Sequence, residues 1–294
     1  MRDIRAAGRR YASLLLLAIM ACTVVGLGTA EAEPVAFYVM PAFPENQTDA
    51  SLGYYSLKVT PGQKQTISLQ VVNNGDEDLT VEVLAFDAIS NANGQVSYAQ
   101  EIPAVDAGAR PYLFSDLVKP VDPVVTIAAH SAQTVQYSIE MPEESFDGVV
   151  HGAVLIRQLP QAEGTEEAAL RIVNAVTYQL GMRLTETDAV LEPELVLRDA
   201  QLNVRTEFGQ VLRITLENPA QMILGGVQAT VGVYAEGAAE PVYTYEGRLS
   251  FAAGSTMPLE ILVPERFAAG SYVVRVNLAY EDLTWQLSLP VTVE

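Results

Sequence analysis

From residue 34 onward the sequence repeats one pattern. Short runs alternate apolar and polar residues, favour β-branched and aromatic side chains, and are broken by Gly, Pro, Asn and Asp. A period of two puts successive side chains on opposite faces of an extended chain, so each run reads as a strand with one face buried. In Leu79 to Phe86, for example, Leu79, Val81, Val83 and Ala85 share one face, while Thr80 and Glu82 lie on the other. Similar runs are Gln65–Val72, Thr134–Glu140, Val149–Arg157 and Val173–Leu184. No stretch past residue 33 holds helical periodicity with capping signals; the nearest, Gly164–Leu170, reads as a loop or a single turn. Asn73-Asn74-Gly75-Asp76 predicts a tight hairpin of positive-φ residues, and Asn91-Ala92-Asn93-Gly94 a turn with Gly94 left-handed.

Short strands punctuated by turns predict antiparallel β-sandwiches, and 294 residues suffice for two. The expectation is therefore an all-β chain with two tandem immunoglobulin-like sandwiches behind an amino-terminal leader. The pattern breaks at Thr185–Pro193, which predicts a first domain over 33–189 and a second over 190–294. The second holds seven alternating runs, beginning at Glu194, Val211, Val227, Val242, Pro258, Tyr272 and Leu283. The first is larger and needs extra strands or loops, expected between Asn91 and Val121. No internal repeat of solenoid length is visible.

The leader is an export signal. Arg2, Arg5, Arg9 and Arg10 precede an apolar run centred on Leu14–Met20, and Ala30-Glu31-Ala32 supplies small residues for cleavage after Ala32. Residues 1–32 thus predict a signal peptide and an extracellular, cell-wall or cell-surface location. Membrane attachment would follow only from an uncleaved leader or from anchoring through another protein. The single cysteine, Cys22, leaves with the leader, so the exported chain relies on its apolar cores in place of disulfides. With 17 Lys and Arg against 36 Asp and Glu, the formal charge of −19 repels nucleic-acid backbones and favours cationic protein surfaces. His130 and His151 are the two histidines; neither neighbours another His or a Cys, so no metal site or other cofactor is expected.

Several runs carry a resemblance. Phe37-Tyr38-Val39-Met40-Pro41-Ala42-Phe43-Pro44-Glu45-Asn46-Gln47, then Tyr55-Ser56-Leu57 and Pro61–Gln65, resemble the start of the WxL-interacting proteins of bacterial cell surfaces. Asn91–Gly94, Met141-Pro142, Phe146-Asp147-Gly148, Asn218-Pro219-Ala220, Ala269–Tyr272 and Trp285 are similar to later parts of that family, and Ala252–Ser255 keeps its pattern in part. The resemblance implies a first domain that binds peptidoglycan and a second that engages WxL-domain or host surface proteins. Family members commonly carry Gly-Gly where this sequence has His151-Gly152. Nothing before Glu294 corresponds to the family's carboxy-terminal transmembrane helix.

Prolines at 41 and 44 lack the amide hydrogen a sheet ladder needs, so Pro41–Gln47 should leave the sheet. Asn46 and Gln47, beside Glu45, then either offer amides to a ligand or satisfy the loop's own backbone. Sugars present apolar C–H faces and hydroxyl rims, which aromatic rings beside amides recognise. Phe43, Tyr54, Tyr55 and Tyr98 are the candidate rings, and alternation allows just one of Tyr54 and Tyr55 to face the core. Catalysis is not expected: no Gly-x-Ser-x-Gly turn occurs, and nothing singles out a pair of carboxylates. The competing reading is an exported assembly chaperone acting by β-strand addition, which calls for a basic pair in the interdomain cleft. Arg183, Arg198 and Arg205 lie near that region without forming such a pair by spacing.

Overall fold

The computed structural model describes residues 37–160 and 176–294; the expected signal peptide and the turn at 164–170 lie outside the described residues. The regular elements of the described chain are almost all strands. One sheet of the first sandwich runs in the order β1 (Phe37–Ala42), β3 (Lys64–Asn73), β8 (Ala132–Glu140), β6 (Val118–Pro120). The facing sheet runs β2 (Tyr55–Lys58), β10 (Thr177–Thr185), β9 (Val150–Gln158), β4 (Leu79–Ser90), with β5 (Val96–Ala99) and β7 (Val124–Ile127) sharing the far edge of β4. Pairing is antiparallel except between β2 and β10, which run parallel.

The second sandwich has the seven expected strands. One sheet holds β11 (Val196–Thr206), β12 (Gly209–Asn218) and β15 (Ser255–Leu262). The other runs β14 (Tyr243–Phe251), β13 (Leu224–Ala235), β16 (Gly270–Tyr280), β17 (Leu283–Val293).

Each sandwich closes over its own apolar core, as the alternation requires. In β3 the buried Ile67, Leu69 and Val71 alternate with Ser68 and Gln70; in β13 Val227, Ala229, Val231 and Val233 do the same. Tyr137 of β8 is fully buried and spans the first core, its hydroxyl reaching the carbonyls of Leu84 and Leu155 in the opposite sheet at 3.1 and 2.9 Å. Burying a ring of that size stabilises the fold by roughly 1.5–3 kcal/mol, and the hydroxyl avoids the cost of an unpaired buried polar group.

Two expectations about turns had different outcomes. Gly94 does adopt a left-handed conformation, φ +79°, in the β4–β5 hairpin. Asn73–Asp76 is not a hairpin: β3 and β4 belong to opposite sheets, and Gly75 is not among the positive-φ glycines. The buried side chain of Asn73 organises the crossing instead. Its Oδ1 accepts from Gly75 N–H at 2.9 Å, and its Nδ2 donates towards the carbonyls of Glu77, Ile127 and Ala128. An Asn-Asn-Gly-Asp run serves a side-chain-built turn as well as a two-residue hairpin, so composition alone could not separate them.

The segment beyond Asn91, expected to hold extra strands or loops, contains β5, β6 and two short helices, α1 (Ala104–Ala109) and α2 (Phe114–Leu117). Its main role is to join the sandwiches. The tip of the β4–β5 hairpin reaches the second sandwich, where Ser250 N–H of β14 donates to the Gly94 carbonyl and Glu260 N–H of β15 to the Ala92 carbonyl, both at 2.9 Å. One turn thus bridges the free edges of two sheets. Around it, Arg110 donates to the carbonyls of Gly254 and Ala88, Thr256 N–H donates to Asp106 Oδ1, and the buried hydroxyls of Ser90 and Ser255 meet. Across the joint, Val149 N–H donates to the Gln221 carbonyl at 2.8 Å.

Candidate functional site

The expected site residues separate into three groups. Tyr55 is a core residue with no exposed surface, its hydroxyl near the Ala42 and Ser68 carbonyls, and burial pushes its pKa up to about 12. As a ligand contact it is corrected: β2 alternation turns Tyr55 inward, which leaves Tyr54 on the outer face. Phe43 is exposed and packs edge-on against Tyr55, ring centroids 5.2 Å apart, so it caps the core while Glu45 stands in solvent.

Asn46 and Gln47 have structural work. Asn46 Nδ2 donates to the Lys58 carbonyl at 2.9 Å; Gln47 Nε2 donates to the carbonyls of Asp49 and Tyr54, and its Oε1 accepts from Ser56 N–H. After Pro41, which stays on edge strand β1, the run does leave the sheet, but it folds back along β2 and pairs Gln47 with Leu57. The amides replace the ladder bonds that Pro44 and the loop cannot make, which is the second of the two roles open to them in the sequence.

Tyr54 and Tyr98 come together on the outer face of the β2-β10-β9-β4-β5 sheet. Gly181 lies beneath them: a Cβ there would meet the Tyr98 hydroxyl at 2.9 Å and Tyr54 Cβ at 3.9 Å. Two residues along β10, the Arg183 guanidinium stacks over the Tyr54 ring, 4.9 Å from its centroid. Opposite Arg183 in the register, His151 meets Tyr98 edge-on, ring centroids 5.6 Å apart, with Nε2 3.4 Å from the tyrosine hydroxyl. Burial, then the positive charges of Arg183 and Arg110, push the His151 pKa down to about 3, so the imidazole is neutral at ordinary pH. Burial likewise raises the Tyr98 phenol, with Arg183 opposing it.

Arg183 also lines an open cleft of about 320 Å³ that continues from this face. Ser56 and Thr185 belong to its first-sandwich wall, and Gln221, Met222 and Ile223 of the β12–β13 turn to the other. Gly148, φ +88°, lets that turn approach, since a Cβ would lie 2.2 Å from the Gln221 carbonyl. The lining holds one guanidinium, hydroxyls, an amide and apolar side chains, with no carboxylate. Among the described residues no group of three or more His, Cys, Asp or Glu is placed to hold a metal ion. Arg198 pairs with Glu217 and so does not join Arg183 in a basic pair. Sequence reasoning placed Arg183 near the cleft but missed its neighbours. Alternation along β10 puts residues 181, 183 and 185 on one face, yet strand order, not spacing, brings Tyr54 and Tyr98 beside them.

Two immunoglobulin-like sandwiches closed against each other around a hairpin tip define a two-domain β-sandwich protein. Within that class, residues 37–158 match the WxL Interacting Protein, peptidoglycan binding domain, and residues 167–294 match the WxL Interacting Protein, host binding domain. The chain belongs to the WxL Interacting Protein family. No curated protein sequence matches it. Similar solved structures include a chain of the CsuC–CsuE chaperone–tip adhesion subunit pre-assembly complex of Acinetobacter baumannii pili, at 12% identity over 87% of this chain and 98% of that one, TM-score 0.39. The E. coli chaperone DraB is similar at 12% identity over 86% and 99%, TM-score 0.33. Of the runs that carry the family resemblance, Asn91–Gly94, Phe146–Gly148 and Ala252–Ser255 reach the joint between the sandwiches, and Asn218–Ala220 leads directly into Gln221, which crosses it.

Proposed function

We propose that this protein is a non-catalytic cell-surface adaptor that holds peptidoglycan through its first sandwich and recruits WxL-type or other protein partners through its second. The consecutive family matches over 37–158 and 167–294 carry the reading. The site is compatible with it in chemical terms. Tyr54 and Tyr98 offer ring faces to sugar C–H groups, and Arg183 and Gln221 offer donors, while the cleft lacks the carboxylates that glycoside hydrolysis would use. Of the residues first considered, Tyr54 and Tyr98 keep the ligand-facing role in this reading; Phe43 and Glu45 lie on a separate surface. The net charge of −19 favours a cationic partner for the second sandwich, so that association should weaken as salt rises.

Co-sedimentation with purified sacculi tests the first half. The protein is expected in the pellet, and paired Tyr54→Ala and Tyr98→Ala substitutions should return most of it to the supernatant. A wild-type protein that stays wholly soluble at both low and high salt would sink the proposal.

A further inference from the structure

We propose that the cleft between the sandwiches seats a free carboxylate of the peptidoglycan stem peptide, with Arg183 as the recognising group. The inference rests on the peptidoglycan reading and narrows it to one chemical contact.

Its basis is an arginine without an acid. The sequence carries 36 acidic residues against 17 basic ones, and Lys58, Lys64, Arg157, Arg198 and Arg213 pair with carboxylates. Arg183 belongs with the unpaired cations, and unlike Arg275, which stacks on Tyr234, it lines a cleft. Arg183 forms no ion pair and no hydrogen bond among the described residues; its contact is the stack on Tyr54. A guanidinium held by its face keeps its in-plane N–H groups free, and their fork matches the two oxygens of a carboxylate. Stacking also fixes the plane before any ligand arrives, which lowers the ordering cost of binding.

The surroundings fit an anion attached to an aliphatic group. No Asp or Glu lines the cleft to compete for the guanidinium. Gln221 spends one N–H on the Ala109 carbonyl at 3.2 Å and keeps the other. Leu191, Met222 and Ile223 supply apolar wall, as a peptide ending in a small aliphatic residue requires. About 320 Å³ lies at the small end of the range for ligand pockets, enough for the end of a peptide and too little for a folded partner. The Tyr54 and Tyr98 rings adjoin the same arginine, so a glycan bearing that peptide has a surface to lie on.

The test titrates the full exported chain with a disaccharide–pentapeptide muropeptide and with the same compound methyl-esterified at its stem carboxylates. Sacculus sedimentation runs in parallel. The free acid should bind about tenfold or more tightly than the ester. Arg183→Gln should erase that difference, and Arg183→Lys should keep part of it. Equal wild-type affinity for acid and ester overturns the inference, and so does unaltered muropeptide binding by R183Q. Tighter binding of an ordinary L-peptide ending in Leu than of the muropeptide overturns the stem-peptide assignment. If wild type and R183Q both sediment fully with sacculi and bind acid and ester alike, the carboxylate seat falls while the peptidoglycan reading survives. If wild type binds neither sacculi nor muropeptide, both fall. Should R183Q fail to fold, the acid–ester comparison on wild type still decides.

Discussion

Asn73 and Asn218 occupy the same place in the two sandwiches. Each ends the strand that pairs with the first strand after a long excursion, β3 with β8 and β12 with β15. Each is buried, and each Nδ2 donates to the carbonyl four residues on: Glu77 in one case, Met222 in the other, both at 2.8 Å. Each also donates to a carbonyl just before the partner strand, Ala128 or Ala252. The turns they organise face different surroundings. The first, Asn74 to Asp78, carries three acids, mostly exposed, with His130 Nε2 3.0 Å from Asp76. The second, Pro219 to Ile223, has no charge and is partly covered, offering its Ala220 carbonyl to Gly254 N–H and its Gln221 carbonyl to Val149 N–H. One device closes a sandwich end towards water in the first domain and towards the other domain in the second.

If the covered corner and its surroundings bind the molecule together, damage there should exceed damage at the exposed one. The largest effect is expected from removing β10. A fragment ending at residue 158 loses the strand between β9 and β2, with the buried Met182 and Leu184, and should show no cooperative denaturant unfolding. One ending at residue 190 should recover it. Next, Asn218→Ala strands the Met222 and Ala252 carbonyls away from solvent and should cost about 2–4 kcal/mol by urea titration. Asn73→Ala, beside an open turn that water can reach, should cost about 1–2 kcal/mol. Equal losses would erase the contrast.

A comparable effect depends on pH. His151 titrates near 3 in the fold against 6.5 for a free imidazole, so below pH 6.5 the unfolded chain takes a proton that the fold refuses. Stability should therefore fall as pH drops from 6.5, with His151 contributing on the order of 2 kcal/mol by pH 4.5. His151→Phe should flatten that limb of the stability–pH curve; an unchanged limb would show that the imidazole is not held neutral.

Much of this architecture could be read from residue order. Alternation located all seven strands of the second sandwich and the five longest-patterned ones of the first, β3, β4, β8, β9 and β10, because a half-buried strand writes its burial into every second residue. The short strands β2, β5, β6 and β7 and the Pro-containing β1 left too little pattern to read. Alternation could not assign strands to sheets, which is why Asn73–Asp76 passed for a hairpin. Nor could it reveal that residues 88–110 brace the second sandwich, since the partners of Ser90, Ala92 and Arg110 lie about 150 positions away. The uncharged turn at Pro219–Ile223 was the available clue, a loop whose composition suits contact with protein. At the candidate site, the aromatic residues were visible as residue types. The inward turn of Tyr55, the engagement of Asn46 and Gln47, and the meeting of Tyr54 with Arg183 needed strand pairing.

The hairpin tip at Ala92–Gly94 has a mechanical consequence. Its bonds to β14 and β15, with the Val149–Gln221 bond beside them, link the sandwiches side by side. A pull applied between the two sandwiches is therefore divided among several backbone links. Separation then asks for their concerted rupture, so under load the two modules should travel as one body before either lets go.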